Sequence, residues 1–206
     1  MLKTMDKFPP IERRRILLTW LLAPAWLALL VATRAEGFET LAYDVIEFLG
    51  IFLVIAAVLG RLWCALYISG RKNVELCRNG PYSLSRNPLY FFSLIGLIGI
   101  CLAAQNLTLM IVSVAVFLAY YQKVMLSEEK RLLSLFGDEF RQYMADVPRF
   151  FPRLDWPEKD DVILVDTRAF TRSLTEAGWF LAVIILIEAI EEMRQAMIIS
   201  GWHLPI

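Results

Sequence analysis

From Asn87 to Gln122 the chain runs 36 residues without an Asp, Glu, Lys or Arg. A helix crossing a bilayer core of about 30 Å needs about 20 apolar residues. The stretch is too long for one crossing and long enough for two. Inside lipid the backbone must satisfy its own hydrogen bonds, which leaves helices as the spanning form for such a segment. Gln105-Asn106 supplies a polar turn near its middle. The pattern predicts a tightly turned helical hairpin with arms 88–104 and 107–122, each slightly short for a span.

The rest of the chain agrees with a membrane setting. Hydrophobic residues make up 58% and the mean hydropathy is +0.54, against roughly 45–50% apolar residues in soluble domains. Residues 16–33 form a second charge-free run, with Pro24 expected to kink it. Its length and flanks read as a retained anchor rather than a signal peptide. A further candidate span covers 48–70 and is interrupted by Arg61. Lys3, Lys7, Arg13, Arg14 and Arg15 precede the first span, whereas only Arg34 follows it. Arg71, Lys72, Arg78 and Arg86 follow the second, none lies in the Gln105-Asn106 turn, and Lys123, Lys130, Arg131 and Arg141 follow the hairpin. Basic and non-basic loops alternate, as the positive-inside rule requires of four spans. The N-terminus, the loop around 80–88 and residues 123–176 are thereby expected on the cytoplasmic side. A fifth crossing over 177–200 would bury Glu188, Glu191 and Glu192, at about +2.5 to +3.5 kcal/mol for each central acid; an interfacial helix is the alternative. The expected fold is all-α, a polytopic bundle of four or five transmembrane helices in one domain over 1–206, with 153–206 as a C-terminal extension.

Several function classes drop out. A net charge of zero argues against a nucleic-acid partner. Cys64, Cys77 and Cys101 form no close pair, and the one histidine is His203. No disulfide framework, metal site or Ser-His triad is expected. The "NLT" at 106–108 has the form of a glycosylation acceptor but lies too tight against the membrane to serve as one.

Two segments carry chemistry. In "GPYSLSRNPLYFF", 80–92, Gly80-Pro81 makes a turn, Asn87 is placed to cap a helix, and Pro88 suits its first position. That helix N-terminus, with Arg86 beside it and Tyr82 and Tyr90 nearby, favours an anion. The plain alternative is a capped helix start with interfacial Tyr and Arg. The second segment is "SEEKRLLSLFGDEFRQYMADVPRFFP", 127–152. The hairpin returns Glu128 and Glu129 to the side of Arg86. Gly137 is expected to stop one helix and Asp138 to cap another, on which Phe140, Tyr143, Met144 and Val147 share a face. The plain alternative is a juxtamembrane amphipathic pair with solvated acids.

Together these segments resemble the integral-membrane methyltransferases that include isoprenylcysteine carboxyl methyltransferases and phospholipid N-methyltransferases. Their pattern is G-x-Y leading to R-H-P-x-Y, a helical hairpin, E-E-x-x-L, then F-G-x-x-[FY]-x-x-Y and a closing proline. Here these stand as Gly80, Tyr82, Arg86-Asn87-Pro88-Leu89-Tyr90, Glu128-Glu129 with Leu132, Phe136-Gly137 with Phe140 and Tyr143, and Pro152. The match covers about 80–152. The family's usual His is Asn87 here, which can donate and accept a hydrogen bond but cannot serve as a base at neutral pH.

The resemblance implies S-adenosylmethionine as methyl donor, in a cytoplasmic pocket built from the interhelical loop and the segment after the fourth span. Tyr82, Arg86, Asn87, Pro88, Tyr90, Glu128, Glu129 and Tyr143 are the expected cofactor-binding residues. Arg86 and the helix start suit the cofactor's carboxylate, the glutamates its ammonium and sulfonium, and the tyrosines its adenine. Arg86 and Glu129 are the expected catalytic residues, Glu129 as base if the acceptor is an amine. The implied acceptor is a lipid or lipidated small molecule entering from the membrane, with no metal. Arg61 is expected either to pair with Glu188 or Glu47, or to hold an anionic substrate headgroup. Two other readings stand beside this one: an NADPH-dependent lipid reductase, and a non-enzymatic scaffold signalled by Asn87.

Overall fold

The computed structural model describes residues 26, 28–29, 33–35, 41–71, 74–155, 157, 162–196 and 202–204. The predicted span 16–33, its Pro24 kink and the basic tail before it lie outside the described residues, apart from Trp26, Ala28, Leu29 and Thr33. The described elements are β1 (Thr33–Ala35), α1 (Leu41–Ile68), α2 (Pro81–Leu84), α3 (Pro88–Ala103), α4 (Leu107–Asp146), α5 (Thr167–Gln195) and β2 (Trp202–Leu204). The architecture is an all-α polytopic bundle, with the two three-residue strands paired in parallel as its one extended feature among the described residues. Three described helices are long and apolar enough to cross a membrane: α1, α4 and α5. The shorter apolar α3, 16 residues long, accompanies them.

The hairpin predicted from the charge-free stretch is α3 and the first part of α4. Its turn is built as the polar dipeptide suggests. Gln105 adopts a left-handed conformation with φ 51°, and Asn106 Oδ1 accepts from the Leu109 N–H at 2.8 Å to cap α4. That buried capping role accounts for the asparagine of "NLT". The second arm does not end at Gln122. Residues 123–136 contain no Gly or Pro and are mostly good helix formers, so α4 runs on without a stop signal. Its helical φ/ψ break only at Gly137, at φ 53° and ψ −121°. From Leu107 to Glu129 the rise is about 33 Å, one hydrocarbon core. Glu128 and Glu129 therefore emerge at the same end of the bundle as the start of α3.

The span expected at 48–70 begins earlier, at Leu41, and ends at Ile68. The helix over the expected fifth span also starts ahead of expectation, at Thr167, and ends at Gln195; Glu188, Glu191 and Glu192 lie exposed on it.

Small residues fix how α1 meets α3. A Cβ on Gly99 would lie 2.7 Å from the Gly50 carbonyl oxygen, and one on Gly50 would lie 2.4 Å from the Ala103 nitrogen. Such a seam lets two backbones touch within a membrane, where hydrophobicity cannot drive helices together. Val54, Ile100, Ala103, Leu109, Ile184 and Ile187 form the core cluster along it. Trp26 packs against this cluster and donates from Nε1 to Ser113 Oγ at 2.7 Å.

Candidate functional site

The site lies where α1 ends, α3 begins and α4 leaves the bundle. Three features hold it: a buried turn at 80–85, a lacing of 83–87 onto 148–153, and a buried carboxylate behind both.

Gly80 takes φ 60°, a left-handed conformation that favours glycine; a Cβ there would meet the Tyr67 ring at 2.3 Å. The turn sends Pro81 into α2 and buries Tyr82 against Cys64 and Tyr67. Burial pushes the Tyr82 hydroxyl well above its ordinary pKa. Burial does the same to Tyr143, with the nearby Arg86 charge working against it. Both stay neutral phenols. The Tyr143 hydroxyl donates to the Tyr82 carbonyl at 2.6 Å, tying the far half of α4 to the turn.

The lacing runs mostly through backbone atoms. The Arg86 N–H donates to the Pro148 carbonyl at 2.9 Å and the Arg153 N–H to the Leu84 carbonyl at 3.0 Å. Ser85 Oγ donates to the Phe150 carbonyl at 2.9 Å, and Arg153 Nη2 to the Ser83 carbonyl at 2.9 Å. Asn87 occupies the cap position of α3, but its side chain makes no cap hydrogen bond. Its Nδ2 instead donates to the Arg149 carbonyl at 3.0 Å. The cap expectation holds for position and fails for the side chain, because the facing 148–153 segment offers an acceptor.

Glu129 is the hinge of the arrangement. Its carboxylate is buried and accepts from Arg86 Nη1 at 3.0 Å and from Arg149 Nη2 at 2.9 Å. Arg149 Nε reaches both carboxylate oxygens, at 3.0 and 3.1 Å. Two guanidiniums and one carboxylate leave a net charge of +1 beside the N-terminus of α3. Burial lowers the Arg86 pKa from its ordinary value; Glu129 opposes that and Arg149 adds to it. A guanidinium nonetheless stays cationic at neutral pH. Arg86 Nε is buried with no hydrogen-bond partner among the described residues.

A cleft opens in front of this group. Of the residues expected to bind a cofactor, it is lined by Tyr82, Arg86, Asn87, Pro88, Tyr90, Glu128 and Tyr143. Glu129 is the exception, since it stands behind Arg86. Tyr90 meets Tyr121 at a tilt of 51° with ring centroids 4.8 Å apart, and Tyr121 stacks on Phe117 at 4.1 Å. Glu128 is half-buried and makes no ion pair among the described residues. Glu75, Leu76, Cys77 and Arg131 also line the cleft and were not foreseen. Arg149 was missed as well; its signal was a cation held between Pro148 and Pro152. No group of three or more His, Cys, Asp or Glu suited to a metal occurs among the described residues.

Arg61 does not reach Glu188 or Glu47. It is held between α1, α3 and α5 by Ser93 Oγ, by the face of Phe180 at 5.4 Å and by Glu176 at 4.0 Å. The helix register turns it into the bundle, away from the acids near the opposite end. Glu47 lies at that end, where it accepts from Gln105 Nε2 at 3.5 Å.

The arrangement presents a cation and a helix N-terminus on one wall and a carboxylate on another, with aromatic faces between. A zwitterion with an additional positive centre fits that donor set. The family profile for phospholipid methyltransferases matches residues 45–139. The chain is 35% identical to the nickel-cobalt-cadmium resistance protein NccN of Alcaligenes xylosoxydans xylosoxydans, over 93% of this chain and 89% of that protein. It is 37% identical to the cobalt-zinc-cadmium resistance protein CzcN of Cupriavidus metallidurans, over 74% of this chain and 70% of that protein. No solved structure matches. The chain belongs to the phospholipid methyltransferase family of membrane proteins.

Proposed function

We propose that the protein transfers a methyl group from S-adenosylmethionine to a lipidic acceptor in the membrane. The observation that carries this reading is the cleft at the start of α3, which gathers Arg86, Glu128 and the tyrosines of the family pattern. When bound, S-adenosylmethionine supplies a methyl group activated by a positive sulfur. Arg86, with its orphaned Nε, and the α3 N-terminus would hold the carboxylate. Glu128 and Glu75 would face the ammonium and the sulfonium, and Tyr90 the adenine. Methyl transfer is an in-line displacement, so the protein's main task is alignment. Glu129, clamped by two arginines, serves that task by fixing Arg86. A carboxylate acceptor needs no base. For an amine acceptor Glu128 is the available base, since both oxygens of Glu129 are engaged. The loop charges orient this end of the bundle toward the cytoplasm.

The resistance named for the two relatives suggests a setting. Nickel, cobalt, zinc and cadmium bind nitrogen ligands through a lone pair. Full methylation of a headgroup amine removes that lone pair and leaves a fixed positive charge at the membrane surface. Calorimetric titration of S-adenosylmethionine and its demethylated product into detergent-purified protein tests the reading. Binding by the wild type and its loss in Glu128→Ala are expected. No binding by a folded wild type would favour a repurposed scaffold, the reading that Asn87 suggests.

A further inference from the structure

Arg61 sits one layer below the cleft and is poorly compensated for a cation inside a membrane bundle. Its side chain is 14% exposed, and its Nε is buried with no hydrogen-bond partner among the described residues. Its only carboxylate neighbour among the described residues, Glu176 Oε2, is 4.0 Å away. Glu176 is itself half open to solvent, and its Oε1 is already held by Arg172 Nε at 3.3 Å. Two guanidiniums and one carboxylate again leave a surplus of +1. Ser93 is turned to meet Arg61: its hydroxyl donates to the Leu89 carbonyl at 2.7 Å, which leaves its oxygen free to accept from Arg61 Nη1.

The position matters as much as the charge. Leu89 and Ile68 line the cleft. Arg61 lies seven residues before Ile68 on α1, about 10 Å deeper along the helix. Tyr82, which also lines the cleft, packs against Cys64, three residues from Arg61 on α1. An ionised side chain at such depth is costly unless partnered, and in membrane proteins it marks a substrate path. The covering helix, α5, lies outside the residues matched by the family profile.

Resting on the methyl-transfer reading, we infer that Arg61, held in place by Ser93, is a receptor for the oxyanion of the lipid acceptor, a phosphodiester or a carboxylate. Glu176 on α5 is a resident counter-ion that this oxyanion displaces. The receptor holds the acceptor's polar end beneath the cleft, with its apolar chain in the bilayer. The loose contact of Glu176, its exposure and its second partner Arg172 make it the displaceable member.

Calorimetric titrations of detergent-solubilised protein test this without requiring turnover. The probes are dihexanoyl phosphatidylethanolamine for a phosphodiester, N-acetyl-S-farnesylcysteine for a carboxylate, and a monoacylglycerol as neutral control. At least one oxyanion-bearing probe should bind saturably, and the tighter one identifies the oxyanion. Arg61→Gln should weaken it by about tenfold or more, Arg61→Lys by less, and Glu176→Gln should tighten it several-fold. S-adenosylmethionine uptake should persist in all three variants. The inference is overturned if neither oxyanion-bearing probe binds wild type, if Arg61→Gln protein that still takes up S-adenosylmethionine binds them unchanged, or if Glu176→Gln weakens binding. Should Arg61→Gln fail to fold, Arg61→Lys and Glu176→Gln carry the same decision. Absence of S-adenosylmethionine binding in wild type would sink the methyl-transfer reading separately, leaving the anion titrations interpretable.

Discussion

Replacing Glu129 by Gln is the most informative single perturbation of the site. The side chain keeps its shape and loses its charge. Its two partners differ in exposure: 11% for the Arg86 side chain and 43% for Arg149. An ion pair with a partner that open is worth about 0–1 kcal/mol. Removing one partner of a buried pair costs about 3–5 kcal/mol, because the remaining charge is left uncompensated. Most of the loss must therefore come from Arg86, whose Nε already lacks a partner. Glu129→Gln is expected to destabilise by about 3 kcal/mol, and Arg149→Gln by about 1 kcal/mol or less. Equilibrium unfolding in mixed micelles, followed by tryptophan fluorescence, measures both. Glu128→Gln should leave stability near wild type while weakening cofactor binding, which separates the binding acid from the anchoring one. A Glu129→Gln protein within about 0.5 kcal/mol of wild type would refute the argument. So would an Arg149→Gln variant as damaged as Glu129→Gln.

Three other expectations follow from the geometry. Gly99→Ala should destabilise by about 1–3 kcal/mol, the usual range for overpacking, because its Cβ would meet the Gly50 carbonyl oxygen at 2.7 Å; Gly178→Ala, with open space around it, should be harmless in the same unfolding assay. Tyr82 and Tyr143 have folded-state pKa values raised by burial, so the unfolded chain releases these protons first. Their contribution to stability is complete below about pH 10 and is lost as pH rises beyond it; alkaline unfolding should coincide with the appearance of tyrosinate absorbance. Asn87→Ala should cost about 1 kcal/mol through the orphaned Arg149 carbonyl, and should weaken S-adenosylmethionine binding measured by calorimetry.

What could be read from the chain divides along physical lines. The hairpin was legible because 36 uncharged residues with one polar turn leave few alternatives in lipid. The break at Gly137 was legible because left-handed backbone is a local property of glycine. The hairpin arm was bounded at Gln122 by the first charge after it, and the helix expected to stop at Gly137 is its direct continuation in α4. Polarity marks the membrane surface, and it takes Gly or Pro to mark a helix end. The seam of Gly50 and Gly99 carried no periodic signal, since a glycine in a spanning helix is common and its partner lies about 50 residues away. Arg61 was recognisable as unusual, but its choice of Glu176 over Glu188, about 18 Å further along α5, depends on how far along α1 the start of α5 docks. No local pattern in the chain encodes that.

The site shows the same division at finer grain. Its motif residues come from two segments about 40 residues apart, and the family pattern sufficed to name them. The pattern treats Glu128 and Glu129 as a pair, yet adjacent helical positions point about 100° apart. One faces the cleft and the other faces the protein. Adjacent identical acids on a helix are thus obliged to differ in role. The acid that faces the protein is held there by Arg149, which lies between two prolines and is not part of the pattern. Asn87 belongs to the same logic. Its amide donates to the Arg149 carbonyl, so the residue standing where the family pattern has histidine helps hold the arginine that holds Glu129. Where the family pattern has a proton-carrying ring, Asn87 thus places a neutral hydrogen-bond donor at a lacing position. The base, where the acceptor needs one, then has to be sought at Glu128.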